Sequence, residues 1–424
     1  MTLNICIKYS ITILLSIILC FFKASATENN LSLNNNIHNI LIESRIKYKL
    51  PAISVSAKLP NRDKIYNYVD GYDTDSSKKN ITPETLFQMG SITKTFTATI
   101  IYKLIDEKKI TVNDHLAVWL PNYPRWNNIT IYQLLHHTSG IYNYTHDKTF
   151  DNLLNKFPQK YWTLNELAEL AYQRADLYPP GKKYNYTNTD YILLGLIIEK
   201  ITHQPVQQVF NNYFKKYKLE NIFYYTYQFP SIITNRIAHG YNRDGTFKFN
   251  DDVTLVSLSF NQSAGALIAT PNDVIKWLIY LFDGKIITKK SLNDMLQVIS
   301  EKNLKIINLE NLSKKQLNET RNKPFTEIGI GAGIGLVYLK NNGLTWVHAG
   351  GTPGYEAFYA YNPCNGIYLA LAYNIKPKQQ LIFIDIIDKI FKQLNHSPEV
   401  IKAIRYYKKN SLLPAYCKHT QNEP

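Results

Sequence analysis

The clearest hydrophobic pattern in the chain follows a polar stretch that ends near residue 90. From Ile92 to Leu104, the sequence ITKTFTATIIYKL carries apolar residues at positions 92, 96, 98, 100, 101 and 104. This spacing predicts a largely buried α-helix that begins next to Ser91 and carries Lys94 one turn later. Residues three apart share a helix face, with Cβ atoms roughly 5–6 Å apart, so the amine of Lys94 could reach the hydroxyl of Ser91.

Strand-like patterns lie towards both ends of the chain. An amphipathic helix is predicted over residues 35–49, and strands follow at Ile53–Ala57 and Lys64–Val69. After Gly333, short apolar segments separated by Asn- and Gly-rich turns predict hairpins. The predicted C-terminal elements are the strands Ile334–Leu339, Thr345–His348, Glu356–Tyr361 and Ile367–Tyr373, and a last helix, Leu381–Leu394, that packs back on the sheet.

The middle of the chain is mostly helical in its periodicity. Its periodic segments are Leu164–Arg174, Thr189–Thr202, Val206–Tyr217 and Asn272–Leu281. Strands at both ends predict an α+β fold, in which one antiparallel sheet is built from N- and C-terminal segments, is flanked by helices, and carries an inserted, mainly helical lobe. The predicted units are a signal peptide (1–26), an α/β lobe (27–100 and 325–395), a helical lobe (101–324) and a basic C-terminal tail (396–424).

The N-terminus has the plan of a secretory signal. Lys8 precedes an apolar run from Tyr9 to Phe22, and Ala24-Ser25-Ala26 offers a cleavage site of small residues. The apolar run is short for a membrane span. We therefore expect a periplasmic or secreted protein, with the signal cleaved near Ala26 and no transmembrane helix left after cleavage. The alternative is an inner-membrane anchor formed by an uncleaved N-terminus.

The chain is basic, with a formal net charge of +15 over 424 residues. Removal of the signal takes away Lys8 and Lys23 and no acid, which leaves +13. Such a surplus would suit anionic partners such as cell-wall peptidoglycan or acidic lipid headgroups, but the lysines are scattered as on an ordinary solvated surface. No helix-turn-helix, zinc-finger or RNA-binding signature is present, so nucleic acid is not an expected partner.

The cysteines and glycines of the sequence bear on whether the protein has a disulfide or binds a cofactor. Cys364 and Cys417 remain after signal cleavage, and an exported protein could join them, although sequence leaves both states open. The sequence has no Cys/His cluster with zinc-ligand spacing and no glycine-rich phosphate loop after a strand. We therefore expect neither a metal nor a nucleotide cofactor.

Three segments have the spacing Ser-x-x-Lys, beginning at Ser44, Ser76 and Ser91. Ser44 is soon followed by Pro51, which ends a helix, and Ser76 lies in a polar loop. Ser91 is the member of this set that opens an apolar helix. Burial there would lower the pKa of Lys94 and let its amine take a proton from Ser91, which is otherwise a weak nucleophile.

Two further motifs are rare in this composition. Tyr186-Thr-Asn188 is the single Tyr-x-Asn among 32 tyrosines, and His348-Ala-Gly350 is the single His-x-Gly among 10 histidines. In the order Ser-x-x-Lys, Tyr-x-Asn, His-x-Gly, the chain resembles the serine β-lactamase and penicillin-binding enzyme superfamily. The resemblance covers roughly residues 35–395 and includes the flanking segments Glu84–Lys94, Leu134–Ile141, Ser263–Thr270 and Gly350–Tyr355.

The branch with Tyr-x-Asn includes class C β-lactamases, D-alanyl-D-alanine carboxypeptidases, family VIII esterases and D-amino-acid peptidases. The resemblance implies their two-lobed fold and acyl transfer through a covalent serine ester. Ser91 would be the nucleophile, and Lys94 would be the base or proton relay. Tyr186 would lie opposite Lys94 and shuttle a second proton, with its pKa lowered by a nearby ammonium.

Other residues matched to the family motifs would hold the substrate. Asn188 would donate to a substrate carbonyl and accept from the lysine. His348 and Gly350 would also bind substrate, and His348 would hydrogen-bond the tyrosine. The backbone N–H groups of Ser91 and Gly351 would form the oxyanion hole. Tyr355 and Glu356 could line the cleft, and the loop histidines His136 and His137 are interpreted as structural.

One departure from the family pattern bears on the substrate. Class C β-lactamases carry Lys-Thr-Gly where this chain has His348-Ala-Gly, and a neutral imidazole attracts a carboxylate less than an ammonium does. We therefore expect an exported serine hydrolase that acts on small D-amino-acid peptides, in the manner of D,D-carboxypeptidases, or on esters. The alternatives are a class C-like β-lactamase with a β-lactam substrate and, in another class, a non-hydrolytic penicillin-binding or sensing protein.

Overall fold

The computed structural model describes residues 32–74, 76, 79–245, 247–312, 323–377, 382–411 and 413–417. The predicted signal peptide and the end of the C-terminal tail lie outside these residues. Within the described part of the chain, no helix combines the length and the apolar character needed to cross a bilayer.

The described strands are β1 (Ala52–Lys58), β2 (Ile65–Gly71), β3 (Phe87–Gln88), β4 (Ile222–Tyr224), β5 (Tyr241–Arg243), β6 (Leu267–Ala269), β7 (Phe325–Gly331), β8 (Ile334–Leu339), β9 (Gly343–Thr352), β10 (Tyr355–Asn362), β11 (Ile367–Tyr373) and β12 (Ile375–Pro377). Seven of these form one antiparallel sheet in the order β2-β1-β11-β10-β9-β8-β7. Ile53 of β1 lies opposite Tyr373 of β11, so the N- and C-terminal strands pair directly within one sheet. The predicted α+β fold is confirmed.

The described α-helices are α1 (residues 32–48), α2 (Thr93–Asp106), α3 (Leu116–Trp119), α4 (Ile131–Leu135), α5 (Lys148–Lys156), α6 (Leu164–Tyr172), α7 (Asn188–Thr202), α8 (Val206–Lys216), α9 (Ser231–Thr234), α10 (Gln262–Gly265), α11 (Pro271–Phe282), α12 (Lys289–Met295), α13 (Ile382–His396) and α14 (Pro398–Asn410). Most of them lie between the N-terminal and C-terminal strands. They form the inserted helical lobe.

The sheet separates two hydrophobic cores, because successive side chains of a strand point to opposite faces. On the outer face, residues such as Val55 and Phe358 pack with apolar residues of α1 and α13. On the inner face, Ala357 and Tyr359 belong to the larger core that continues into the helical lobe. The cleft between β9 and this lobe is where the motif residues meet.

Helix α2 joins the two lobes and is buried along most of its length. Thr95 Oγ1 donates to Gly333 O in the turn between β7 and β8 at 2.7 Å. Thr97 Oγ1 donates to Ser263 O of α10 at 2.6 Å. The predicted lobe boundary at residue 100 therefore lies inside a helix that is bonded to both lobes.

The longest strand and the longest helix that the sequence analysis did not predict are β7 and α14. Strand β7 forms the edge of the sheet next to β8, and its register shifts between Glu327 and Gly329. The glycines at 329 and 331 hide it, because glycine is depleted in strands. Helix α14 occupies the segment predicted as a basic tail, with Pro398 in its first turn, where proline suits a helix start.

Cys364 and Cys417 form a disulfide, with their Cα atoms 5.3 Å apart. Cys364 lies in the turn between β10 and β11, and Cys417 follows α14. The bond therefore fastens the C-terminal segment to the sheet. This resolves the pairing that the sequence left open.

We expect the double variant Cys364→Ser/Cys417→Ser to unfold at a lower urea concentration than the wild type. The bond spans a sequence separation of 53 residues, and closing a loop of this size is worth about 2–4 kcal/mol of unfolding free energy. Urea denaturation of both proteins without reductant measures the difference. Equal midpoints would contradict a stabilising bond.

Candidate active site

Ser91 lies in a turn of 3₁₀ helix, Gly90–Ile92, that leads directly into α2. Gly90 has φ +50°, a left-handed conformation that glycine adopts without strain. Thr93 holds this turn, since its Oγ1 donates to Gly90 O at 2.7 Å and accepts from Leu267 N–H at 3.1 Å. The Ser91 hydroxyl caps neither the turn nor α2. It is therefore not consumed by helix capping.

Lys94 projects from α2 to the Ser91 hydroxyl. Its Nζ lies 3.0 Å from Ser91 Oγ, 2.7 Å from Asn188 Oδ1 and 2.8 Å from Ala264 O. Lys94 is 0% exposed, and burial holds its pKa well below the usual lysine value. A neutral amine has two N–H donors, which match the two carbonyl oxygens, and its lone pair then faces the Ser91 hydroxyl. The carbonyl of Ala264 was not singled out by the sequence motifs.

Tyr186 reaches the same serine from the other side of the cleft. Its hydroxyl donates to Ser91 Oγ at 2.7 Å. The predicted lowering of its pKa is wrong: burial of the hydroxyl end raises the pKa of Tyr186, although 36% of the residue is exposed. The prediction assumed a neighbouring ammonium, whereas burial favours the uncharged amine of Lys94. The phenol is therefore protonated at neutral pH.

Asn188 is the first residue of α7, after Thr187, whose side chain accepts from the N–H of Thr189 at 3.2 Å. The Asn188 side chain is oriented at both ends. Its Oδ1 accepts from Lys94, and its Nδ2 donates to Thr145 Oγ1 at 3.1 Å. The second N–H of this amide is the donor that remains for a substrate.

The end of β9 packs directly on the serine turn. A Cβ atom at Gly350 would lie 2.0 Å from Met89 O and 2.9 Å from Ser91 N, and a Cβ at Gly90 would lie 2.5 Å from Gly351 N. Glycine is therefore required for the strand to approach this closely. The backbone amides of Ser91 and Gly351 lie near each other as a result.

His348 lies on β9 at the mouth of the cleft. Its Nδ1 is 2.7 Å from Ala349 O, and a carbonyl can only accept, so Nδ1 carries the proton and Nε2 is the free acceptor of the neutral ring. Burial is the main cause that lowers the pKa of His348 to about 4. The predicted bond to Tyr186 is not among the hydrogen bonds of the described residues.

A cavity of about 260 Å³ opens beside these groups. Tyr186, His348 and His137 line it together. The ring of His137, which was interpreted as structural, packs against the ring of Tyr186 at a tilt, with the centroids 4.6 Å apart. The cleft prediction for Tyr355 and Glu356 is wrong: Tyr355 is 0% exposed and Glu356 is bonded to Tyr373.

The chain matches the Beta-lactamase family model over residues 42–385. It belongs to this family. The predicted superfamily is thereby confirmed, and so is the class of enzyme, a serine hydrolase of the type that includes β-lactamases and penicillin-binding proteins.

Among curated proteins, this Beta-lactamase family member is similar to the teichoic acid D-alanine hydrolase of Staphylococcus aureus. The two are 28% identical over 240 residues, which is 55% of each chain. The chain thus spans about half the length of the curated relatives it matches.

Solved structures share the fold. The D-amino acid amidase from Ochrobactrum anthropi SV3, in complex with L-phenylalanine amide, has a TM-score of 0.72 at 23% identity, over 86% of this chain and 99% of that chain. A D-stereospecific amidohydrolase from Streptomyces sp. has a TM-score of 0.68 at 24% identity, over 84% and 98%. The penicillin-binding protein from Bacillus halodurans has a TM-score of 0.64 at 20% identity, over 82% and 98%.

We expect Gly350→Ala to abolish covalent labelling by a fluorescent penicillin or a fluorophosphonate. The new Cβ would lie 2.0 Å from Met89 O, so β9 would have to move away from the serine turn. Gly335→Ala is the matched control on the neighbouring strand, since a Cβ there has its nearest contact at 3.6 Å. Equal labelling of the two variants would show that close approach of β9 is not required.

We expect kcat/KM to fall as the pH is lowered through the pKa of Lys94. That pKa is lowered, so the amine that accepts the serine proton is present above it and is lost below it. His348, with a pKa of about 4, stays neutral above that pH. The variant His348→Asn should therefore leave the acid limb at the same pH. A limb that moves with this variant would assign the titration to the histidine.

Proposed function

We propose that this protein hydrolyses ester or amide bonds whose acyl part is a D-amino acid, through a covalent acyl group on Ser91. The observation that carries the proposal is the chain of contacts from Tyr186 through Ser91 to Lys94, at 2.7 and 3.0 Å. The Ser91 hydroxyl thus lies between the amine of Lys94, which can accept a proton, and the phenol of Tyr186, which can donate one.

In the first step, Ser91 Oγ attacks the substrate carbonyl and its proton passes to Lys94. The backbone N–H groups of Ser91 and Gly351 stabilise the oxyanion. Tyr186 gives its proton to the leaving alcohol or amine and is reprotonated from the lysine ammonium. The C–O or C–N bond breaks, and the acyl group stays on the serine.

The second step reverses the roles with water. A water molecule attacks the acyl carbonyl and its proton passes to Lys94, either directly or through Tyr186. The ester bond to Ser91 breaks, the serine recovers its proton, and the free D-amino acid leaves. Asn188 and His348 are proposed to hold the substrate, since one N–H of the amide and the Nε2 of the imidazole remain available.

The substrate class rests on two observations. The relatives named above are, by their names, a teichoic acid D-alanine hydrolase, a D-amino acid amidase and a D-stereospecific amidohydrolase. His348 is a neutral ring where a β-lactamase would carry an ammonium, which disfavours a carboxylate beside the scissile bond. D-aminoacyl esters and D-amino acid amides, which carry no carboxylate beside the scissile bond, therefore precede β-lactams and D,D-peptides. Cell-wall polymers that carry D-alanine are the proposed natural source, which agrees with the predicted export.

Hydrolysis of the p-nitroanilides and ethyl esters of D-alanine and L-alanine tests the proposal, with a chromogenic cephalosporin as the third substrate. We expect kcat/KM for the D-substrates to exceed that for the L-substrates by about 10–200-fold, the range that one or two lost contacts supply. Faster turnover of the cephalosporin than of every D-substrate would favour β-lactamase activity. Lasting penicillin label without any turnover would favour a sensor.

The nucleophile is tested with Ser91→Ala, which should abolish both turnover and the covalent label. The matched control is Ser76→Ala, because Ser76 begins another Ser-x-x-Lys segment and is exposed on a loop. It should keep the activity of the wild type. Mass spectrometry of the trapped acyl-enzyme locates the modified peptide. Hydrolysis that survives Ser91→Ala would reject the assignment.

A further inference from the structure

A buried acid lies behind the candidate active site. Asp190 of α7 is 0% exposed, two residues after Asn188. Ser139, also buried, donates its hydroxyl to Asp190 Oδ1 at 2.6 Å. The other oxygen, Oδ2, lies 3.4 Å from His137 Nδ1 and has no hydrogen bond among the described residues. A buried carboxylate oxygen without a donor would be costly.

The orientation of the His137 imidazole indicates whether the proton between Asp190 Oδ2 and His137 Nδ1 lies on the acid or on the ring. The backbone N–H of Thr187 points at His137 Nδ1 at 3.4 Å. An N–H can only donate, so Nδ1 presents its lone pair on this side. An ionised Oδ2 at 3.4 Å would face that lone pair, whereas a protonated Oδ2 could act as a second donor that shares it with the Thr187 N–H. Burial raises the pKa of Asp190 and lowers the pKa of His137. Both shifts favour a protonated acid beside a neutral imidazole, which is the state that the geometry indicates.

The groups that face Asp190 come from several elements. The ammonium form of Lys94 of α2 would lower the pKa of Asp190 and so oppose the effect of burial, which is the larger cause. Burial raises the pKa values of Tyr178 and Tyr191, and an ionised Asp190 would raise them further. Charge on Asp190 would in turn stabilise the ammonium form of Lys94. An uncharged Asp190 leaves the amine free.

The same imidazole supports Tyr186. The ring centroids of His137 and Tyr186 are 4.6 Å apart, and the amide that reaches His137 belongs to Thr187, the next residue in the chain. His137 itself has φ +55°, so its backbone is fixed in a conformation that a side chain rarely adopts. The His137 ring therefore positions Tyr186 in two ways, through contact with the tyrosine ring and through the hydrogen bond to the backbone of the next residue, Thr187.

We propose that Asp190 is a positioning residue that is kept as a neutral carboxylic acid, donates a hydrogen bond from its O–H to His137 Nδ1 and so holds Tyr186 at Ser91, while its lack of charge leaves Lys94 as the free base. This inference rests on the proposed function, since it gives a reason for the roles of Lys94 and Tyr186. Asp190 itself is buried and acts through His137, Tyr186 and Lys94.

Infrared difference spectra of the wild type and Asp190→Asn at neutral pH test the protonation state directly. We expect the C=O stretch of a protonated carboxylic acid in the wild type and its loss in the variant. Lack of that band, with a carboxylate signal lost instead, would overturn the proposal. This measurement needs no substrate, so it is independent of the proposed function.

The pH profile of kcat/KM gives the second readout. Asn is neutral at every pH and its amide N–H can replace the acid O–H, so Asp190→Asn should keep the acid limb within about half a pH unit of the wild type. A limb that moves down by about one unit or more would mean that Asp190 is ionised and supports the ammonium of Lys94.

Asp190→Leu removes the donor to His137 at similar volume. We expect kcat to fall by about 10²-fold, the size of a lost proton-transfer contribution, with a smaller change in KM and with partial recovery in Asp190→Asn. Equal kcat in the leucine and asparagine variants would overturn the positioning role. If the leucine variant does not fold, the spectrum and the pH limb of Asp190→Asn decide. Failure of the proposed function would appear separately, as turnover that survives Ser91→Ala.

Discussion

The rest of the structure depends on the polar contacts of the buried amino group of Lys94. An amine removed from water is costly unless its polar neighbours are in place. Those neighbours are Ser91 of the 3₁₀ turn, Asn188 of α7 and Ala264 of α10. The α/β lobe supplies the first and the helical lobe the other two. Docking of the lobes and assembly of the candidate site are therefore one event, which explains why α2 is bonded to both sides.

A second constraint fixes the sheet against that amine. Gly350 allows β9 to lie against Met89 and the serine turn with no side chain between them. The register of β9 with β10, in which His348 lies opposite Tyr359, then sets where the imidazole and the Gly351 amide can be. Tyr359 in turn is hydrogen-bonded to Thr95 of α2. Sheet register and helix position are thus coupled through one tyrosine and one pair of glycines.

Much of this arrangement could be predicted from the sequence, because it rests on local periodicity and on motif order. The apolar spacing from Ile92 to Leu104 predicts α2, and the turn residues of the C-terminal hairpins predict most of the sheet. The strand β7 escaped prediction because Gly329 and Gly331 break the pattern.

What sequence could not supply was the electrostatic state of the site. The pKa of Tyr186 depends on how far its hydroxyl is buried and on whether its neighbour is an ammonium or an amine. The contact between His137 and Asp190 joins positions 53 residues apart, and neither residue belongs to the three motifs. Burial and the pairing of distant residues are properties of the folded chain.

The irregularity of β7 has a consequence for the behaviour of the protein in solution. A regular edge strand offers free backbone groups to another molecule. Here the shift between Glu327 and Gly329 interrupts the ladder, and Ile299 exchanges both backbone hydrogen bonds with Ile330 farther along the strand. A bulge and a covering loop thus leave little straight edge for a second copy to extend. This side of the sheet is protected against edge-to-edge aggregation.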